Sequence, residues 1–471
     1  MGANSDLERL RAENRNHFDK WEKIKDCVDQ FIDIMLNYRQ SGHPGGSRSK
    51  VHAFVTTILG GIMRWDIRQP EKPFSDRFVL VAGHTVPLIY GTLPVLFEAL
   101  RVKLEQTGDE RYRVPDEKNR ALYWEHLVGF RHNKGLAGHA EMEGRTLFLK
   151  FNTGPSGHGS PAAAGQALAL KRAGAGDVKV FAFEGEGGLT PGAAHETMNS
   201  AWGLGLDNLC YVVDWNDYGI DPRAYSAVVH GGPAEWFESH GWRVREARNG
   251  SDWESVTHAL AELVHGDNSK MQPNVMVMKT RKGRGYLKYD YASHGSPHKL
   301  NSKLFWETKL PFMEKYGVSF EGYGKDAPAD PGALGEQMTA NLKIVADVIR
   351  SDQQLVDYIA DTLVALGESV PDEPPGFAFD RAKNPLDDPA LYDFEHYPSE
   401  LFARPGEKKP NRAALGTFGA WVNTWSRKHY NRPLFIAMSA DLADSTNLSG
   451  FAKDFGDETG YGWYERESNP D

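Results

Sequence analysis

The chain has 471 residues, 40% of them hydrophobic, 11% aromatic and 25% charged, a globular composition long enough for two or three domains. Lysine and arginine number 54 against 64 acidic residues, a net charge of −10. That balance excludes a general nucleic-acid binder, which would need a basic footprint. The only cysteines, Cys27 and Cys210, cannot build a disulfide framework, so a reducing, cytoplasmic setting is expected.

The N-terminal stretch is charged and lacks the apolar core of a signal peptide. Asp6 stands where a myristoylation signal needs Ser or Thr. No apolar run approaches the roughly 20 residues that span a bilayer, so no membrane partner is expected. Phe18, Trp21, Ile24, Val28, Phe31 and Met35 recur at helical spacing, and the Gly/Pro loop SGHPGGS (41–47) ends that helix. VKVFAF (178–183), LCYVV (209–213) and NVMVM (274–278) read as short buried strands, with a small-residue helix in 188–205 between the first two. Buried strands alternating with helices predict an α/β fold, a three-layer parallel sheet with helices on both faces.

Composition shifts after residue 366. Residues 370–411 are rich in Pro and acids, as in a linker or strap. Beyond them 412–428 reads as a helix and PLFIAMSADL (433–442) as a strand, the start of an incomplete second α/β domain. The expected division is 1–330 for the first domain, 331–410 for a helical and Pro-rich linker, and 411–471 for the partial one.

The chemistry concentrates between FAFEGEGG (181–188) and DWNDYGID (214–221). A strand ends in Gly185-Glu186-Gly187, a helix follows, and the next strand ends in Asp214, Asn216 and Gly219. Carboxylate and carboxamide thus fall at the carboxyl ends of neighbouring parallel strands, where open α/β sheets bind ligands. Carboxylate, amide oxygen and backbone carbonyl are hard oxygen ligands suited to Mg²⁺ or Ca²⁺, and a bound diphosphate would complete such a shell. Taken alone, Gly-Glu-Gly also fits a strand-to-helix turn with a capping acid. Residues 154–157, GPSG, precede an Ala-rich helix whose N-terminus suits an anion.

This arrangement resembles the thiamine diphosphate signature, a Gly-Asp-Gly followed downstream by an Asn-containing turn. The resemblance implies Glu186, Asn216 and the Tyr218 carbonyl as metal ligands, with Glu186 one methylene longer than the usual Asp. Mg²⁺ prefers distances of about 2.1 Å, so that extra methylene bears on affinity. Within that superfamily the chain is similar to the transketolases. The loops carrying the resemblance are SGHPGGS (41–47), DRFVLVAGHTVPLIY (76–90), GHAE (138–141), NTGPSGHGSPAAAGQALA (152–169), KTRKGRGY (279–286), SHGSP (293–297) and SADLADSTN (439–447), in the family's order.

The resemblance implies a catalytic and substrate-binding role for His43, His139 and His294 and a catalytic and cofactor role for His84. It implies cofactor contacts from His84, His294, Gly154, Pro155, Ser156, Gly185, Glu186, Gly187, Asn216, Asp441 and Leu442, and sugar-phosphate contacts from Arg412 and Ser445. Neutral imidazoles suit repeated proton movement on a ketose. His158 and His298 lack family counterparts and read as turn residues. Glu196 resembles a family glutamate at the subunit interface, whereas Pro191 stands where a second glutamate is usual.

The implied function is transfer of a two-carbon ketol unit from a ketose phosphate to an aldose phosphate with thiamine diphosphate and Mg²⁺ (or Ca²⁺). The family's ring-activating glutamate belongs to the pyrimidine-binding domain. Glu465, in YGWYERES (461–468), is a possible substitute. The expected assembly is therefore a homodimer, or a heteromer with a C-terminal transketolase half. Competing readings are a decarboxylating 2-oxo acid dehydrogenase subunit, which shares the domain plan, and a non-catalytic cofactor-binding subunit.

Overall fold

The computed structural model describes residues 2–377, 379–439 and 441–453, with side chains from Leu7 onward; Glu465 lies outside the described residues. The chain divides into two compact units, 1–374 and 375–471. The first is built on a five-stranded parallel sheet of β1 (Arg77–Leu80), β2 (Val180–Gly185), β3 (Leu209–Trp215), β4 (Arg243–Ala247) and β5 (Asn274–Lys279), ordered β1-β2-β3-β5-β4. The three strands expected from their apolar runs are present, and β1 leads into the Gly83-His84 turn. β4 escapes a search for apolar runs because RVREA alternates charge with Val and Ala, as an edge strand can.

Alternation along the strands supplies two cores. Phe78, Leu80, Phe181, Phe183, Cys210, Val212, Met276 and Met278 face one side, where they pack with the helices Phe18–Arg39, Val51–Leu59, Pro87–Thr107 and Trp253–His265. Val79, Val81, Val180, Ala182, Tyr211, Val213, Val275 and Val277 face the other, under the helices Gly159–Arg172, Gly192–Gly203 and Pro233–Ser239. This is the expected three-layer arrangement. Both cysteines are free and buried.

The helix Pro87–Thr107, taken from Gly83, is long and apolar enough to cross a membrane, yet nearly all of that stretch is buried inside the fold. Gly91 lets it lie close to Phe18–Arg39, since a Cβ there would sit 2.8 Å from Ile32 and 3.0 Å from the Val28 carbonyl. The first unit also continues past residue 330. Helices Pro331–Arg350 and Gln353–Glu368 bury Leu342, Val345, Ile349, Leu355, Ile359 and Leu363 in the same core, so the linker proper begins beyond them.

In the second unit, the acid-rich strap forms short turns in which Asn384, Asp388 and Asp393 accept hydrogen bonds from the backbone N–H two residues on. The helix expected at 412–428 is present as Asn411–Tyr430. The strand expected over 433–442 is not formed among the described residues. Asn423 supplies what a neighbouring strand would have supplied: its Oδ1 accepts from Leu434 N and Phe435 N, and its Nδ2 donates to the Phe435 and Phe451 carbonyls. Without a ladder, Phe435, Ile436, Met438 and Leu442 stay exposed.

Candidate active site

A cavity of about 210 Å³ opens at the carboxyl ends of β2 and β3. The pairing of Gly185 with Asp214 puts the turns after both strands side by side. Asn216 N donates to Glu186 Oε2 at 3.3 Å, and Asn216 Oδ1 accepts from Tyr218 N at 3.2 Å. Sterics explain the glycines of this turn. A Cβ on Gly187 would strike the Tyr225 hydroxyl, and one on Gly188 the Glu184 carboxylate.

His84 and His294 line the cavity. His43 stands against both, its ring 4.9 Å from that of His84 and 5.3 Å from that of His294, while His84 and His294 are 5.4 Å apart. The loops are interlocked: a Cβ on Gly45 would lie 2.8 Å from the Ser293 carbonyl and from Lys282 Cγ. His139 is exposed and reaches only the edge, where Gly154 would carry a Cβ 3.5 Å from its ring. Gly154 and Ser156 line the cavity, whereas Pro155 is exposed and does not. Pro191 packs against Gly157, whose φ of +82 favours glycine, and Glu196 is exposed on Gly192–Gly203.

Every lining residue belongs to the first unit. Arg412, Asp441, Leu442 and Ser445 lie in the second and are exposed. His158 is an exposed residue at the start of Gly159–Arg172. His298 is not a turn residue at the surface. It is 1% exposed and stacked on Tyr286 at 4.0 Å, because its ring is apolar enough to fill a core position when neutral.

Electrostatics keep the imidazoles uncharged. Burial, with the charges of Arg131 and Lys282, lowers His43 to about 4. Burial and Lys282 lower His294 to about 3, and burial with its histidine and lysine neighbours takes His84 well below the usual range. Lys282 Nζ donates to His294 Nδ1 at 2.9 Å. An ammonium cannot accept, so the ring proton of neutral His294 is on Nε2. Burial pushes Glu184 up to about 7 and raises Glu186, which Asp214 raises further. Burial opposes ionisation of Asp214, but Lys50, Ser49 and Thr280 together hold it below the ordinary carboxylate range.

Sequence reasoning missed Lys50, Lys282, Glu184 and Tyr225. Lys282 was within reach, in the KTRKGRGY loop; Lys50 follows the first histidine loop and carries no motif of its own. Thiamine diphosphate fits the glycine-lined turns and two buried ammonium groups around one cavity, whereas the orphaned buried Glu186 Oε1 is an acceptor that calls for a cation or a donor. The expected ligands of the divalent ion are partly engaged by hydrogen bonds. Glu186, Asn216 and Tyr218 do converge, but the Tyr218 carbonyl accepts a hydrogen bond from Lys282 Nζ and Asn216 Oδ1 is engaged by Tyr218 N.

Fold and cavity together define an α/β domain with a cavity at its strand ends, where open parallel sheets bind ligands. Residues 121–320 match the family described as transketolase, thiamine diphosphate binding domain. The chain is 30% identical over 300 residues to transketolase from Rhodobacter capsulatus, covering 62% of this chain and 40% of that protein. It is 27% identical over 256 residues to one of the subunits of apulose-4-phosphate transketolase from Phocaeicola vulgatus, covering 54% of this chain and 80% of that one. The solved transketolase from Leishmania mexicana shares the fold at a TM-score of 0.59 and 22% identity, covering 91% of this chain and 57% of that one. Residues 121–320 are therefore similar to the thiamine diphosphate-binding domain of transketolases. The chain spans about 40% of the length of the Rhodobacter enzyme.

Proposed function

We propose that the chain is the diphosphate-binding component of a transketolase-type transferase, moving a two-carbon ketol unit between sugar phosphates. The observation that carries this is the meeting of His84 and His294, backed by His43, with Glu186, Asn216, Gly154 and Ser156 around one cavity. When bound, thiamine diphosphate supplies the ring that stabilises a carbanion at the reacting carbon. The chain's own groups bind and orient. Gly154 and Ser156, ahead of Gly159–Arg172, together with Asn216 and Lys282, would hold the diphosphate, with Glu186 as a ligand for any accompanying cation. A neutral imidazole has one donor and one acceptor, and His294, whose Nδ1 is taken by Lys282, keeps its Nε2–H to offer, so the cluster can hold sugar hydroxyls without carrying a charge.

The match to most of the Phocaeicola protein, itself one component of a transketolase, supports a heteromer in which other transketolase elements come from a second polypeptide. In that assembly Asp441 and Leu442 would approach the thiamine ring, and Arg412 and Ser445 the sugar phosphate. Calorimetric titration with thiamine diphosphate tests the cofactor; xylulose 5-phosphate with ribose 5-phosphate, with and without a candidate C-terminal half, tests the reaction. Saturable cofactor binding and partner-dependent turnover are expected. Turnover of pyruvate instead would select the 2-oxo acid reading, and no cofactor binding would refute the proposal.

A further inference from the structure

The cavity contains two buried ammonium groups where a divalent ion was expected. Lys282 enters from the loop after β5, and its Nζ donates to the Tyr218 carbonyl and to His294 Nδ1. Lys50, 2% exposed, precedes the helix Val51–Leu59, and its Nζ donates to Asp214 Oδ2 at 2.9 Å and to the Gly46 carbonyl at 3.2 Å. Each ammonium has three donors, and each spends two on these fixed partners. One N–H of each remains for an anion in the cavity that both side chains line.

The acidic groups do not make up a cage for an ion. Asp214 Oδ2 already accepts from Lys50, Ser49 and Asn216, and Oδ1 from Thr280. Glu184 Oε1 accepts from Gly185 N. Glu186 Oε1 is buried without a partner, so an ion here would draw most of its oxygens from the diphosphate and water rather than from the protein. An ion on the second lone pair of the Tyr218 carbonyl would stand beside the buried Lys282 ammonium, a like-charge approach that costs free energy.

We propose that Lys50 and Lys282 are the fixed cations of this pocket, so that a diphosphate is held there without an obligatory divalent ion. The proposal rests on the reading of the cavity as a thiamine diphosphate site, and its test separates the two. The intact chain is titrated calorimetrically with inorganic pyrophosphate and, separately, with thiamine diphosphate, in EDTA and in Mg²⁺. Both ligands are expected to bind in EDTA with a Kd within about tenfold of that in Mg²⁺. Lys282→Met, and the charge-neutral pair Lys50→Met with Asp214→Asn, are each expected to weaken pyrophosphate binding in EDTA by about tenfold or more. Lys282→Arg, which keeps the charge, should retain most of it. Circular dichroism checks that each variant is folded, and the unmodified chain in EDTA decides the question even where a variant is not. Binding of pyrophosphate only in Mg²⁺, or folded variants that bind as tightly as the original, would overturn the proposal. Pyrophosphate bound in EDTA without any response to thiamine diphosphate would leave it standing and overturn the cofactor reading instead; neither ligand bound in either condition overturns both.

Discussion

His52 and His298 show at residue scale what burial does to a titrating ring. His52 lies against Trp253 with ring centres 4.2 Å apart, and its Nδ1 is buried without a partner; both nitrogens of His298 are buried in the same state. Burial takes His52 well below its usual range and His298 to about 4, the latter against the opposing pull of Asp33. An unfolded chain binds protons on these rings below about pH 6.5, whereas the native chain does not. Stability is therefore complete above that pH and falls by up to about 1.4 kcal/mol per pH unit for each ring below it. Urea midpoints at pH 7 and pH 5 measure this, and a flat profile would mean that the rings protonate inside the fold. At this scale the sequence was most legible where chemistry and motif coincide, as at His84, Glu186 and Asn216. It was mute at His298, whose burial depends on Tyr286 and the segment beyond it rather than on its neighbours in sequence.

The elements bearing the histidines are tied together by buried charge. Arg48, after the His43 loop, donates to Asp33 at 2.9 Å and pairs with Asp29 at 3.1 Å, both on Phe18–Arg39. Arg284, from the loop that leads to His294, pairs with Asp29 at 3.0 Å and donates to the Arg48 carbonyl at 3.1 Å. Lys309 closes the group on Asp33 at 3.5 Å. Removing one partner from such a network leaves uncompensated charge in the core. Arg48→Met should cost about 3–5 kcal/mol in urea unfolding, whereas a surface pair such as Lys343–Asp347 should cost under about 1 kcal/mol. Equal losses for the two would deny the network its role. None of this network is visible as a motif, because its members are spread from Asp29 to Lys309 and meet only after the helices pack. Apolar periodicity did reveal the helix that carries Asp29 and Asp33, and apolar runs revealed three strands; the polar edge strand β4 offered neither signal.

At the scale of the whole molecule, residues 1–374 hold the sheet, both cores and every cavity-lining residue. A chain shortened to 1–374 should fold alone, with a cooperative thermal transition within a few degrees of the full chain and the same pyrophosphate response. Loss of cooperative melting in the shortened chain would show that 375–471 is part of the folding unit. The parallel α/β class was legible because buried strands and helices alternate along the sequence. The extent of the domain was less so, since two amphipathic helices after residue 330 read as linker until their apolar faces are seen in the core. The stretch at 433–442 has a strand's composition but no neighbour among the described residues to pair with, and composition alone cannot supply one.

The strand order has a consequence for the time at which the sheet becomes whole. β5 is the last of the five strands to be synthesised, yet it lies between β3 and β4. Until residues 274–279 emerge from the ribosome, those two strands have no common neighbour, and the gap of roughly 9–10 Å between them is too wide for backbone hydrogen bonds. A nascent chain stalled before that point presents an open, apolar β3 edge, so the yield of folded protein should depend on how quickly translation passes residue 280.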